Sequence, residues 1–158
     1  MANRYLLPAF ELVFEKHFSY SDFENRMEMQ KMVYILQDMG VPIGDYGFRW
    51  YLHGPYSQSL QDDMFYESKN DCEKITWNKE YYKKICRLKD ALNTPERGKY
   101  NVSTWIECLA SLHYLKENVL CFGTTSEDIV NELEKRKEHM NCHATNLKAY
   151  NLVEGLFI

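Results

Sequence analysis

The segment from Lys31 to Met64 constrains the fold more than any other part of the chain. An apolar stretch with helical spacing is closed by Gly40, a short aromatic run follows, and His53-Gly54-Pro55-Tyr56-Ser57 then opens a second apolar stretch. A glycine stop, an extended aromatic run and a proline-primed helix start, set this close together, describe a helical protein with a small β element. The segment carries architecture and no recognisable chemistry.

Around it, the remaining periodicity is helical. The first helix is expected over about Tyr5 to His17, with Leu6, Phe10, Val13 and Phe14 on one side. Ser21-Asp22-Phe23-Glu24 reads as a capping box for a second helix over about Asp22 to Met39, with the Ser21 hydroxyl and Glu24 carboxylate satisfying orphan amides. The apolar residues of that helix wrap most of its circumference in its second half, the mark of a helix surrounded by others. Tyr46 to Leu52 reads as a short strand that needs a partner, and Gly54-Pro55 as a sharp turn into a third helix over about Ser57 to Ser68. Trp77, Tyr81, Ile85, Leu88 and Leu92 then recur at helical spacing, ending before an interruption at Asn93-Thr94-Pro95-Glu96-Arg97-Gly98. Further helices are expected over about Val102 to Glu117, Ser126 to His139, capped through Thr125-Ser126-Glu127-Asp128, and Ala144 to Phe157. The expectation is a mainly α (α+β) fold, a single domain over residues 1–158 with about six to seven helices and a small hairpin or strand near 46–52.

The chain has 158 residues, 45% of them apolar, enough to bury a core of its own. No apolar run is long enough to span a membrane, and Met1-Ala2-Asn3-Arg4 opens no signal peptide, so a cytosolic protein is expected. Cys72, Cys86, Cys108, Cys121 and Cys142 are scattered without a C-x-x-C pair, which suits reduced core thiols better than a disulfide frame. A formal charge of -4 disfavours broad adhesion to nucleic acid or anionic lipid and favours a protein partner.

Four groups could carry chemistry, and each has a plainer reading. Asp62, Asp63 and Glu67 share a helix face as a carboxylate cluster would, but no phosphate loop or second acidic motif accompanies them, so a solvated face is the simpler account. His139, Cys142 and His143 offer soft ligands without the second pair that a structural zinc site needs, and no metal or other cofactor is expected. His53 sits in a turn-type motif and could act as a base, although a strand-end histidine bonded to backbone is commoner; with no nucleophile elbow in the chain, no catalytic residue is assigned. Lys79, Lys83, Lys84, Arg87 and Lys89 line one helix as phosphate contacts would, diluted by Glu80 and Asp90.

Met29-Gln30-Lys31-Met32-Val33-Tyr34-Ile35-Leu36, Gly40, the aromatic run, Tyr51-Leu52-His53-Gly54-Pro55-Tyr56-Ser57 and Leu60 resemble the YwgA-like bacterial family and, more distantly, the Panacea (SocA-like) domain. In those families a K-x-x-Y-x-L helix precedes a strand and a Gly-Pro turn, so the resemblance makes Lys31, Tyr34, Gly54, Pro55 and Ser57 its structural motif. It implies a compact helical domain from phage or mobile-element settings, in which members neutralise toxins by direct contact or serve as proteolytic adaptors, with no catalytic residue attached. The basic helix of Lys79 to Lys89 and everything after Asn93 lie outside the match.

Two functions follow as expectations. The first is a non-enzymatic protein-binding module, antitoxin-like or regulatory, whose partner, by the resemblance a toxin or protease system, meets Phe48, Trp50, Tyr51, His53 and Tyr56, residues of the kind that anchor interfaces. The second is a nucleic-acid-binding regulator of winged-helix-like arrangement using Lys79, Lys83, Lys84 and Arg87. An enzyme relying on His53 with Asp62 and Asp63 ranks behind both.

Overall fold

A computed structural model describes residues 3–120 and 124–157, so Cys121 lies outside the described residues. The fold is mainly α: helices α1 (Leu6–Phe14) and α2 (Phe23–Asp38), strands β1 (Arg49–Tyr51) and β2 (Gly54–Tyr56), then helices α3 (Gln58–Glu67), α4 (Lys79–Leu92), α5 (Val102–Asn118), α6 (Ser126–Arg136) and α7 (His143–Gly155). A single 3₁₀ turn, Pro95–Arg97, fills the interruption after α4.

Helix α2 is central, as its all-round apolar pattern requires. Met29, Met32, Val33, Ile35 and Leu36 are fully buried, and the helix packs against α1, α3, α4, α5 and β2. The second core helix is α5, where Trp105, Ile106, Cys108, Leu109, Ala110 and Leu112 are all buried. Helices α6 and α7 close over α5, and α4 lies on α1. Of the described cysteines, all free thiols, only Cys108 belongs to the core; Cys72 and Cys86 are half-buried and Cys142 is exposed, contrary to the expectation of core thiols.

The ends depart from the sequence reading in instructive ways. Helix α1 stops before Glu15, whose left-handed φ of 56° ends the helix short of His17. The cap of α2 is Asp22: its carboxylate accepts from the Glu24 and Asn25 amides, while the Ser21 hydroxyl lies beside that of Ser19 and the Glu24 carboxylate meets Ser103 on α5. A carboxylate wins the cap because its charge also complements the positive end of the helix. Thr125 and Asp128 form the expected capping box on α6, but the helix ends at Arg136 and not at His139.

The expected small hairpin is present, but its first strand is shorter than 46–52 and its second occupies the expected turn. Only Arg49–Tyr51 is strand, paired antiparallel with Gly54–Tyr56 in the register Arg49 with Tyr56, Trp50 with Pro55 and Tyr51 with Gly54. The Gly54-Pro55 segment is therefore a strand and Leu52-His53 is the turn. Proline is tolerated because a two-stranded ladder has only edges.

Candidate functional site: the hairpin groove

Helix α2 holds this hairpin by side chains that imitate backbone. The Gln30 amide donates to the Ser57 carbonyl and accepts from the Ser57 N–H, each at 2.9 Å. Two helical turns on, Gln37 repeats the arrangement on Tyr46, donating to its carbonyl at 2.9 Å and accepting from its N–H at 2.8 Å. Between them the Lys31 ammonium, 1% exposed, donates to the Pro55 carbonyl at 2.9 Å. Backbone groups on both sides of the hairpin are thus satisfied by polar side chains of an otherwise apolar helix, as buried polar groups require. Ser57 caps α3 through the Leu60 amide, and Tyr34 packs edge-on against Phe48 with its hydroxyl buried and unpartnered.

The turn is pinned from the other side by a buried ion pair. Glu107 of α5 and Lys137, just past α6, are 2.6 Å apart with side chains 5% and 2% exposed, and the Lys137 ammonium also donates to the Leu52 carbonyl. The same Glu107 oxygen lies 3.5 Å from His139 Nε2 and 3.9 Å from His53 Nδ1. One carboxylate therefore faces two lysines and two histidines. Burial pushes the Lys31 ammonium down to about 7, with Glu107 opposing the fall and Lys137 adding to it. Burial likewise lowers His53, again against the pull of Glu107.

Strand alternation divides the expected binding aromatics into two sets. Phe48 and Trp50 turn toward the body: Phe48 meets Tyr34 and Tyr46, while Trp50 meets Tyr114 and sits under the Arg136 and Lys137 cations. Tyr51 and Tyr56 stand on the outer face with ring centroids 5.2 Å apart. There they border a groove of about 220 Å³ between the hairpin turn and the first turns of α2. Phe23, Met27, Leu52 and His53 complete its apolar part, and Arg26, Gln30, Lys31 and Gln61 its polar part. Phe23 is 55% exposed, Tyr51 56% and Leu52 74%.

The other candidates disperse. The Tyr46 hydroxyl donates to Asp63 at 2.6 Å, Asp62 accepts from Gln58, and neither carboxylate borders the groove. Among the described residues no group of His, Cys, Asp and Glu converges as metal ligands. His139 faces Glu107, Cys142 precedes α7 with its thiol beside the Thr145 hydroxyl, and His143 lies between Glu127 and Glu134. On α4, Lys84 pairs with Glu80, Lys89 with Glu15, and Arg87 donates to the Gly155 carbonyl, leaving Lys79 and Lys83 as exposed cations. Sequence reading missed Gln30, Gln37, Glu107 and Lys137. Their signal was a polar residue inside an apolar helical run, or, for Lys137, a cation one turn beyond one.

No helix among the described residues is long and apolar enough to cross a membrane. No family model, characterised protein or solved structure matches the chain.

Proposed function

We propose that this chain is a non-enzymatic protein-binding module of the antitoxin-like or adaptor kind implied by the Panacea resemblance, and that its partner docks on the outer face of the hairpin. The observation that carries this reading is the exposure of Phe23, Tyr51 and Leu52 around a groove whose backbone is fixed by buried side chains. Large apolar side chains cost solvation where they stand, and a rigid frame reduces the ordering cost of binding, so the pair of features suits an anchor site. The aromatic ridge continues through Arg26, stacked between Tyr20 and Phe23, to Phe65 against Tyr20. The free thiols suit a reducing, cytosolic setting, and the resemblance suits a phage or mobile-element one.

The test is differential capture from the native host with wild-type chain and with Tyr51→Ala/Leu52→Ala, followed by titration of the purified partner. The expected result is a fixed stoichiometry for wild type and weakening by at least about 1 kcal/mol at each true anchor. Binding to DNA with a steep salt dependence, abolished by Lys79→Glu/Lys83→Glu and untouched by the hairpin variant, would replace this reading with the nucleic-acid one.

A further inference from the structure

The chain as a whole is acidic, yet Arg26, Lys31 and His53 border the hairpin groove and no aspartate or glutamate does. Lys31 is buried and spends one of its three N–H donors, on the Pro55 carbonyl. Arg26 spends one donor on the Tyr20 carbonyl while its plane rests between two rings, which leaves the rest of its fork for a carboxylate. At about 220 Å³ the space is smaller than the roughly 300 to 1,000 Å³ of small-molecule sites and fits a single anchoring side chain.

Resting on the reading of this face as a docking surface, we infer that the groove takes an aromatic or aliphatic anchor from a partner protein together with an adjacent carboxylate. The anchor lies between Phe23, Tyr51 and Leu52, and the carboxylate meets Arg26 and Lys31. Charge complementarity selects the occupant: a neutral anchor leaves the Lys31 donors unused, and a basic neighbour is repelled. An arriving carboxylate favours the protonated form of Lys31 and draws a proton onto it, so binding tightens as pH falls. The other charged or titratable groups facing Lys31 are Glu107 from α5, Lys137 beyond α6, His53 in the turn and Arg26 on its own helix, with His139 beside Glu107. Neutral His53 gains charge in the same direction.

Phage-displayed random heptapeptides selected on the full chain, then resynthesised and measured by fluorescence anisotropy between about pH 6 and 8, test this. The expected selection places Asp or Glu within two positions of Phe, Trp or Leu. Replacing that acid by its amide weakens binding at least about tenfold, and Arg26→Gln does the same to the parent peptide. Affinity rises several-fold toward the acid end in wild type and flattens in Lys31→Met; should that variant not fold, the Arg26→Gln loss and the wild-type pH profile decide. Acid-free or basic sequences that are lost in Tyr51→Ala overturn the inference and leave the docking surface standing. Peptides indifferent to Tyr51→Ala, or no selection at all, overturn both.

Discussion

A Cβ placed on Gly54 would stand 2.4 Å from the Ser111 hydroxyl oxygen of α5, and Gly54 holds a φ of 95°. Strand β2 therefore lies directly on the core helix only because this position has no side chain. Gly54→Ala must both enter a strained backbone region and displace Ser111, and Gly54→Val adds bulk to both, so the destabilisation is expected to be about 1 to 3 kcal/mol or more. The Ser111 hydroxyl is buried without a partner, so Ser111→Ala alone costs little and, combined with Gly54→Ala, recovers the steric part while leaving the backbone part. Urea denaturation of the four proteins of this cycle measures the split.

Lys31 gives stability a pH dependence of defined sign. Its folded value near 7 lies below its ordinary 10.5, so between these values the unfolded chain binds a proton that the folded chain has released. Stability then rises with pH across that window, with a slope approaching about 1.4 kcal/mol per pH unit, and below pH 7 the folded protein bears the full cost of a buried charge. Lys31→Met removes the titration and also the bond to Pro55. The difference in unfolding free energy between wild type and Lys31→Met is expected to move in favour of wild type from pH 7 to 10; a constant difference would show that Lys31 titrates as an ordinary lysine.

Glu107 and Lys137 are not equivalent halves of their pair. Removing Lys137 leaves Glu107 facing Lys31 and two histidines, whereas removing Glu107 leaves two buried lysines near each other. Breaking a buried pair costs about 3 to 5 kcal/mol, and Glu107→Gln is expected at the upper end with Lys137→Met below it. The double variant Glu107→Leu/Lys137→Met is expected to recover part of the loss, measured by the same denaturation.

The glutamine clamps predict a local signature. Gln30→Met leaves the buried Ser57 N–H without a partner, while the Ser57 carbonyl keeps the Gln61 N–H, and is expected to cost about 1 to 3 kcal/mol; Gln37→Met, at a less buried site, costs less. Native-state hydrogen exchange at the Ser57 and Tyr46 amides reads each clamp separately, each amide accelerating in its own variant.

Much of this frame was legible in the sequence, and the exceptions share a cause. Periodicity and caps located the seven α-helices of the described residues, and the all-round apolar second half of α2 marked it as central because few positions there could face water. Helix ends were less visible: Asp22 against Ser21 as the cap, and Glu15 in a left-handed turn, are decided by side-chain reach and tertiary fit. Gly54-Pro55 looked like a turn because local rules assign that dipeptide to turns, whereas contact with Ser111 and Lys31 makes it a strand. Lys31 and Gly54 each have a physical reason for their identity in these contacts. Glu107 and Lys137 could not be paired from sequence because nothing local joins α5 to the residue past α6.

The hairpin's alternation separates stability from binding. Phe48 and Trp50 are half-buried against Tyr34 and Tyr114, so Phe48→Ala and Trp50→Ala are expected to destabilise by about 1 to 3 kcal/mol, less than full burial would cost. Tyr51 and Leu52 are more than half exposed, so their alanine variants should shift the melting temperature by little. Under the docking reading the order inverts for partner affinity, with Tyr51→Ala and Leu52→Ala losing most and a Phe48 variant losing only what its destabilisation transmits. Thermal denaturation and a binding titration on the same four proteins give both rankings. If affinity simply follows stability across the set, the outer face is not the contact surface.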